Sequence, residues 1–276
     1  MQAGRTQVED YAMTDYVHIC IVSGQPAPNF LPLIQPDFPA AAVCLLVSDR
    51  KRLRQPLAGI SAAVQRLSAA QSVEIPSVTH EGLPDTGFAE VMAWGQSVLK
   101  SIREQFPGKQ LMFNATGGQK IMSTAIYYLL RDATDASVIY CDTDHSRIDM
   151  WKPVGTPVPF KRRLRVEHTI LLHGYRMVRA KSDNTAWQLP ARLELMPDNR
   201  PKRSECMRVA GDGVFAKDSQ EEDGWFERYV YRCAREIGFA RIDGGLDIVS
   251  DPAYGRHGEN IPNELDLVVV HNNRLP

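Results

Sequence analysis

Gln110-Leu111-Met112-Phe113-Asn114-Ala115-Thr116-Gly117-Gly118-Gln119-Lys120-Ile121-Met122-Ser123 decides the fold. A short apolar run reads as a buried strand, a double-glycine turn follows at once, and Gln119 to about Arg131 then carries a helical pattern. Strand, glycine loop and helix in immediate succession place backbone amides and the positive end of a helix dipole at one spot. Anions bind at such places.

Outward from this segment the chain keeps alternating. Tyr16–Val22 and Ala41–Val47 are continuous apolar runs closed by Ser23-Gly24-Gln25-Pro26 and by Ser48-Asp49-Arg50, as expected of strands covered on both faces of a parallel sheet. Helices are predicted from about Arg50 to Ala70 and from about Gly87 to Gln105, where Val91, Trp94, Val98 and Ile102 recur at helical spacing before Pro107-Gly108. Ser137–Cys141 is a further strand, ending in the acidic turn Asp142-Thr143-Asp144. The pattern predicts a doubly wound α/β sheet over residues 1–150.

From Trp151 prolines at 153, 157, 159, 190, 197 and 201 break the periodicity, and residues 151–221 read as a connector with one short helix around Val166–Gly174. Order resumes over 222–276. There Phe226, Tyr229, Val230, Cys233 and Ile237 form a helical face, and Leu246–Val249 and Asn263–Val270 read as strands.

Bulk composition narrows the class. The 276 residues carry a formal net charge of −1, 43% hydrophobic and 24% charged residues, so no global basic field marks a nucleic-acid binder. The five cysteines are scattered without a C-x-x-C pair, which argues against a disulfide framework and a zinc site and for a reducing cytoplasm. The polar first fifteen residues resemble neither a signal peptide nor an anchor, and no apolar run reaches bilayer length, so a soluble protein with no membrane partner is expected.

At the glycine loop, Gly117 and Gly118 permit close backbone approach, Thr116 offers a hydroxyl and Lys120 a point charge. The spacing matches neither G-x-G-x-x-G nor a Walker loop, which disfavours a nicotinamide enzyme or an ATPase. A capped helix with a glycine turn and a surface lysine explains the same residues equally well.

Asn114-Ala115-Thr116-Gly117-Gly118-Gln119-Lys120 with Ile121-Met122-Ser123 resembles the signature of the CARF domain, the Rossmann-like, CRISPR-associated sensor of cyclic oligoadenylates. Ser23-Gly24-Gln25-Pro26, with Asn29 beyond it, is similar to that family's first ligand loop. The resemblance implies a homodimer closing over a ring-shaped messenger, cyclic tetra-adenylate first among the candidates. Thr116, Gly117, Gly118 and Lys120 would hold the phosphates, with Asn114 and Gln119 in the same ligand-binding loop; Ser23, Gln25 and Asn29 would assist with ribose, base or phosphate.

At the other end, Glu227 lies on the helix after Gly224, and Asp266 on the last strand with Glu264 on the same face. A helix glutamate and a strand aspartate are hard-oxygen ligands suited to Mg²⁺ or Mn²⁺. A solvated carboxylate is the plainer reading of each. Gly-Trp-Phe-Glu followed by Asn-Glu-Leu-Asp-Leu-Val-Val-Val resembles the PD-(D/E)XK nuclease domain fused to CARF domains in type III CRISPR effectors, which implies metal ligation by Glu227 and Asp266 and a DNA or RNA substrate. That family continues into a strand bearing Glu-x-Lys. This sequence ends at Pro276, so an incomplete nuclease module, inactive alone, is expected.

The expected architecture is thus a Rossmann-like CARF sensor over 1–150, a connector over 151–221 and part of a nuclease-like domain over 222–276. The expected function is messenger sensing by a CRISPR ancillary effector of the nuclease type. The alternatives are a non-catalytic messenger-binding regulator or degenerate remnant, and an ordinary α/β phosphometabolite enzyme. The basic residues Lys161, Arg162, Arg163 and Arg165 read as a solvated edge or a nucleic-acid phosphate contact.

Overall fold

Two runs of apolar residues form the centre of a parallel sheet because both faces they present are covered. In the computed structural model, which describes residues 15–180, 231, 234, 235, 242–250 and 263–269, these runs are β1 (Tyr16–Ile21) and β2 (Ala40–Val47). Between them lie the short helix α1 (Ala27–Phe30) and a 3₁₀ turn at Leu31–Ile34. Then come α2 (Arg54–Gln71), β3 (Ser77–Glu81), α3 (Phe88–Gln105), β4 (Gln110–Asn114), α4 (Lys120–Leu130), β5 (Ala136–Asp142), β6 (Arg147–Lys152) and β7 (Val158–Pro159). The last elements are α5 (Val166–Leu172), β8 (Tyr175–Ala180), β9 (Ile242–Ser250) and β10 (Asn263–Val269).

The chain divides into two compact units, residues 1–53 with 64–162 and residues 54–63 with 163–276. In the first, seven strands run in the order β3-β2-β1-β4-β5-β6-β7. β1 to β5 are mutually parallel, and β6 and β7 add to the edge antiparallel. This is the Rossmann-like α/β sheet expected from the alternation, with the order reversing at β1, between β2 and β4.

Alternating side chains divide between the two faces of the sheet. Val17, Ile19, Ile21, Leu111, Phe113 and Val138 pack with Val91, Leu99 and Ile102 of α3 and Met122, Ala125 and Ile126 of α4. Gly95 lets these two helices come together, since a Cβ there would stand 2.7 Å from Ile126 Cδ1 and Leu129 Cδ1. On the opposite face Phe38, Met112, Ile139 and Ile148 cluster. His18 sits on that face, fully buried, with Nε2 3.0 Å from Phe38 O. A carbonyl only accepts, so Nε2 carries the hydrogen and Nδ1 is a buried acceptor with no donor.

The sheet differs from the sequence reading in two respects. The sheet does not end at 150: β6 runs through it to Lys152, and β7 continues to Pro159. Proline lacks a donor, but an edge strand such as β7 needs none outward. β3, absent from the reading, is half exposed along SVTHE and short.

In the second unit, α5 falls where a short helix was expected, and β10-β9-β8 form an antiparallel sheet. Gly59 of α2 meets the carbonyl of Leu172 so closely that a Cβ would overlap it, and Gln55 Nε2 donates to His173 O at 2.6 Å. β8 was not anticipated. Glu227 lies outside the described residues, as does most of 181–262.

Candidate functional site

β1 and β4 are neighbours, with Cys20 opposite Asn114, so the loops that follow them emerge side by side at the carboxyl edge of the sheet. Both sequence-predicted ligand segments are therefore brought together where the strand order reverses, the place open α/β sheets use for ligands. The loops touch through glycine. A Cβ on Gly117 would overlap the Ile21 carbonyl oxygen, and one on Gly118 would stand 2.5 Å from Ile21 Cγ2. Gly118 also has φ +78°, a conformation that glycine adopts freely.

α4 begins directly after the turn. Gln119 is extended at its N-cap and makes no side-chain cap, while the Met122 and Ser123 amides close onto Gln119 O at 3.0 and 3.1 Å. The amides of Lys120 and Ile121, at the first two helical positions, have no intrahelical acceptor by geometry. Gly118, Gln119 and Lys120 are exposed, Gly117 is buried and Thr116 half-buried. In the first loop Gln25 and Gly24 are exposed, and the half-buried Ser23 donates through Oγ to Gln25 O at 3.2 Å.

Three residues assigned to the ligand by resemblance face inward. Asn29 is 1% exposed and donates through Nδ2 to Ile21 O at 2.8 Å. Asn114 is fully buried; its Nδ2 donates to Pro28 O at 2.9 Å and its Oδ1 accepts from Thr116 N at 3.1 Å and Thr116 Oγ1 at 2.6 Å. Thr116 Oγ1 in turn accepts the Cys141 amide at 2.7 Å. The polar atoms available to a ligand are thus the helix-start amides, Lys120, Gln119, Ser23 and Gln25.

The turn after β5, noted in the sequence only as acidic, holds an ordered pair. His145 Nδ1 stands 2.7 Å from Asp142 Oδ2, the His145 amide donates to Asp142 Oδ1 at 3.1 Å, and Arg147 Nε is 3.5 Å from the same carboxylate. Desolvation works against the Asp142 charge, but the His145 amide and ring and then Arg147 hold its carboxyl below the usual carboxylate range. Nothing in the sequence pairs these residues except the three-residue spacing across a turn. Among the described residues, burial pushes the thiols of Cys20 and Cys44 up to about 12, and that of Cys141 upward also, which makes them poor nucleophiles.

Of the expected nuclease carboxylates, Asp266 lies within β10, beyond Leu265 paired with Leu246 and before Leu267 paired with Gly244. Among the described residues no group of three His, Cys, Asp or Glu is placed to hold a metal ion, and Glu227 is not among them. In the basic cluster, Lys161 pairs with Asp37, and the Lys161 and Arg162 amides donate to Gln35 Oε1 at 2.9 and 3.0 Å.

The family model of the Card1 CARF domain matches residues 17–173, more than half of the chain. The chain belongs to this CARF family. Solved structures agree on the CARF fold. Can2 from Sulfobacillus thermosulfidooxidans, in complex with cyclic tetra-adenylate, matches with TM-score 0.59 and 24% identity over 94% of this chain and 76% of its own. The protein VC1899 from Vibrio cholerae matches with TM-score 0.68 and 13% identity, over 96% of this chain and 79% of its own. A type III CRISPR defence DNA nuclease activated by cyclic oligoadenylate gives TM-score 0.56 and 18% identity, over 95% and 39%. At these identities the likeness concerns the fold. No curated protein sequence matches the chain. No helix among the described residues is long and apolar enough to cross a membrane.

Proposed function

We propose that this chain senses a cyclic oligoadenylate in type III CRISPR antiviral defence, with cyclic tetra-adenylate the first candidate, and acts in the cytoplasm as a homodimer. One observation carries the reading. The Gly117-Gly118 turn lies against the end of β1, so the start of α4, with its amides and Lys120, shares an edge with Ser23 and Gln25. Amide donors at a helix start with an adjoining ammonium suit a phosphodiester, and charge-assisted bonds to it are the strong kind. The membership in the CARF family and the cyclic tetra-adenylate held by Can2 support the choice of ligand. A ring of repeating nucleotides has its own symmetry, and two copies of one loop pair meet it best about a two-fold axis.

The end of the chain, over 222–276, belongs in this proposal to a metal-dependent nuclease of the PD-(D/E)XK type acting on DNA or RNA, with the connector beginning only after β7. Glu227 and Asp266 would hold Mn²⁺ or Mg²⁺, which supplies an activated water and charge neutralisation at the phosphate.

Calorimetric titration with cyclic tri-, tetra- and hexa-adenylate tests the sensor. Saturable binding of one ring size by one ring per two chains is expected, and heat no greater than dilution for all three would sink the proposal. Incubation of supercoiled plasmid and of single-stranded RNA with protein, Mn²⁺ and the binding ring tests the second unit. Cleavage lost in Asp266→Ala supports the nuclease reading and overturns the expectation of a module inactive alone; binding without cleavage leaves the chain a messenger-binding protein that does not cut by itself.

A further inference from the structure

Asn114 is the last residue of β4 and points away from the α3 and α4 face. Its carboxamide joins three separate segments. Nδ2 donates to Pro28 O, in α1 beyond the first loop; Oδ1 accepts both the amide and the hydroxyl of Thr116, in the glycine loop; and the Thr116 hydroxyl accepts the amide of Cys141, in β5. Each distance lies between 2.6 and 3.1 Å. Asn114 is fully buried, so each bond forms in a low-dielectric setting where a broken one leaves a costly orphan.

The Thr116 hydroxyl has one proton, and that proton goes to Asn114. It therefore has none to give a phosphate oxygen unless the bond beneath the loop breaks. Lys120, by contrast, is exposed and projects from the helix start. Two roles that the motif places within five residues thus separate: one group meets the ligand and the other holds the loop that presents it.

We propose that Asn114 is a positioning residue, whose carboxamide fixes the glycine loop against the segment after β1 and uses the Thr116 hydroxyl as an internal tether, so that Thr116 orders the loop without binding the ligand. The ligand part of this inference rests on the messenger-sensing reading; the tether does not.

Isosteric variants separate the bonds. Thr116→Ser keeps the hydroxyl and Thr116→Val removes it at nearly constant volume. Asn114→Asp keeps the acceptor for Thr116 and turns the donor facing Pro28 O into a second oxygen. Amide hydrogen exchange without ligand is the first readout. Loosening by one lost bond should raise exchange of Ala115–Gly118 about tenfold in Thr116→Val and leave Thr116→Ser near wild type. Asn114→Asp should loosen Ser23–Gln25 and spare Thr116. Titration with cyclic tetra-adenylate at two salt concentrations is the second. Thr116→Val should bind about tenfold more weakly with an unchanged salt dependence, whereas Lys120→Ala should bind more weakly and lose part of that dependence.

Exchange in Thr116→Val equal to wild type would overturn the tether. Weaker binding by Thr116→Val with loop exchange unchanged from wild type would make Thr116 a phosphate ligand and overturn its positioning role. Should the wild-type chain bind no cyclic oligoadenylate, the messenger reading falls while the exchange data still decide the tether.

Discussion

Gly117 faces the main-chain oxygen of Ile21 at a separation that leaves no room for a methyl group, with Asn29 Oδ1 and Nδ2 standing 3.0 and 3.1 Å from where a Cβ would lie. The obstacle is backbone on one side and a buried amide on the other, so neither yields cheaply. Gly117→Ala should cost about 1–3 kcal/mol of stability, as overpacking does. Thermal unfolding measures it. A midpoint equal to wild type would show that the two loops part more easily than their packing indicates.

Lys120 presents the opposite case, an exposed side chain at the first helical position. Lys120→Ala should leave the unfolding midpoint nearly unchanged and weaken binding of cyclic tetra-adenylate by about 1.5–3 kcal/mol, the worth of one charge-assisted bond. Calorimetry on the variant checks it; undiminished affinity removes Lys120 from the phosphate site.

His18 makes stability depend on pH. Burial lowers its pKa to about 4, while its bond to the Phe38 carbonyl works in the other direction. The unfolded chain takes up the proton near its ordinary value of about 6.5. Above that pH both states are neutral and the full stability is present. As pH falls toward 4 the unfolded state alone is protonated, and stability drops by an amount of order 3 kcal/mol. His18→Gln, which retains a donor for Phe38 O, should flatten that part of the profile. Urea midpoints at pH 7.5 and 4.5 for both proteins provide the measurement; parallel declines would refute the assignment.

Gly59 lies against Leu172 O, a main-chain atom of α5. Alanine ordinarily strengthens a helix interior by up to about 1 kcal/mol relative to glycine. Here it should destabilise instead, and hydrogen exchange over Val166–Leu172 should rise. Protection increased in Gly59→Ala would mean that the close approach is not required.

The central strands and the glycine loop were legible because burial on both faces of the sheet writes itself as continuous apolar residues, and because Gly117-Gly118 stands directly between an apolar run and a helical pattern. β3 escaped because its five residues are half exposed and alternate weakly. β6 and β7 escaped because prolines 153, 157 and 159 look like linker, although at the sheet edge a missing donor costs little. The roles of Asn114 and Thr116 could not be read locally. Their partners Pro28 and Cys141 lie 86 and 25 positions away, and only the fold brings them beneath the loop. The Asp142 and His145 pair was hidden for a simpler reason: a turn three residues apart is also where unpaired acids collect.

Lys152 donates through Nζ to the carbonyls of Leu130, at 2.5 Å, and Ala133, which end α4 and its following turn. Eleven residues of helix make a rod of roughly 16 Å, at about 1.5 Å per residue. Its far terminus is already neutralised by a lysine from the neighbouring hairpin. An anion arriving at the near terminus therefore meets a helix whose opposite end is already held by Lys152.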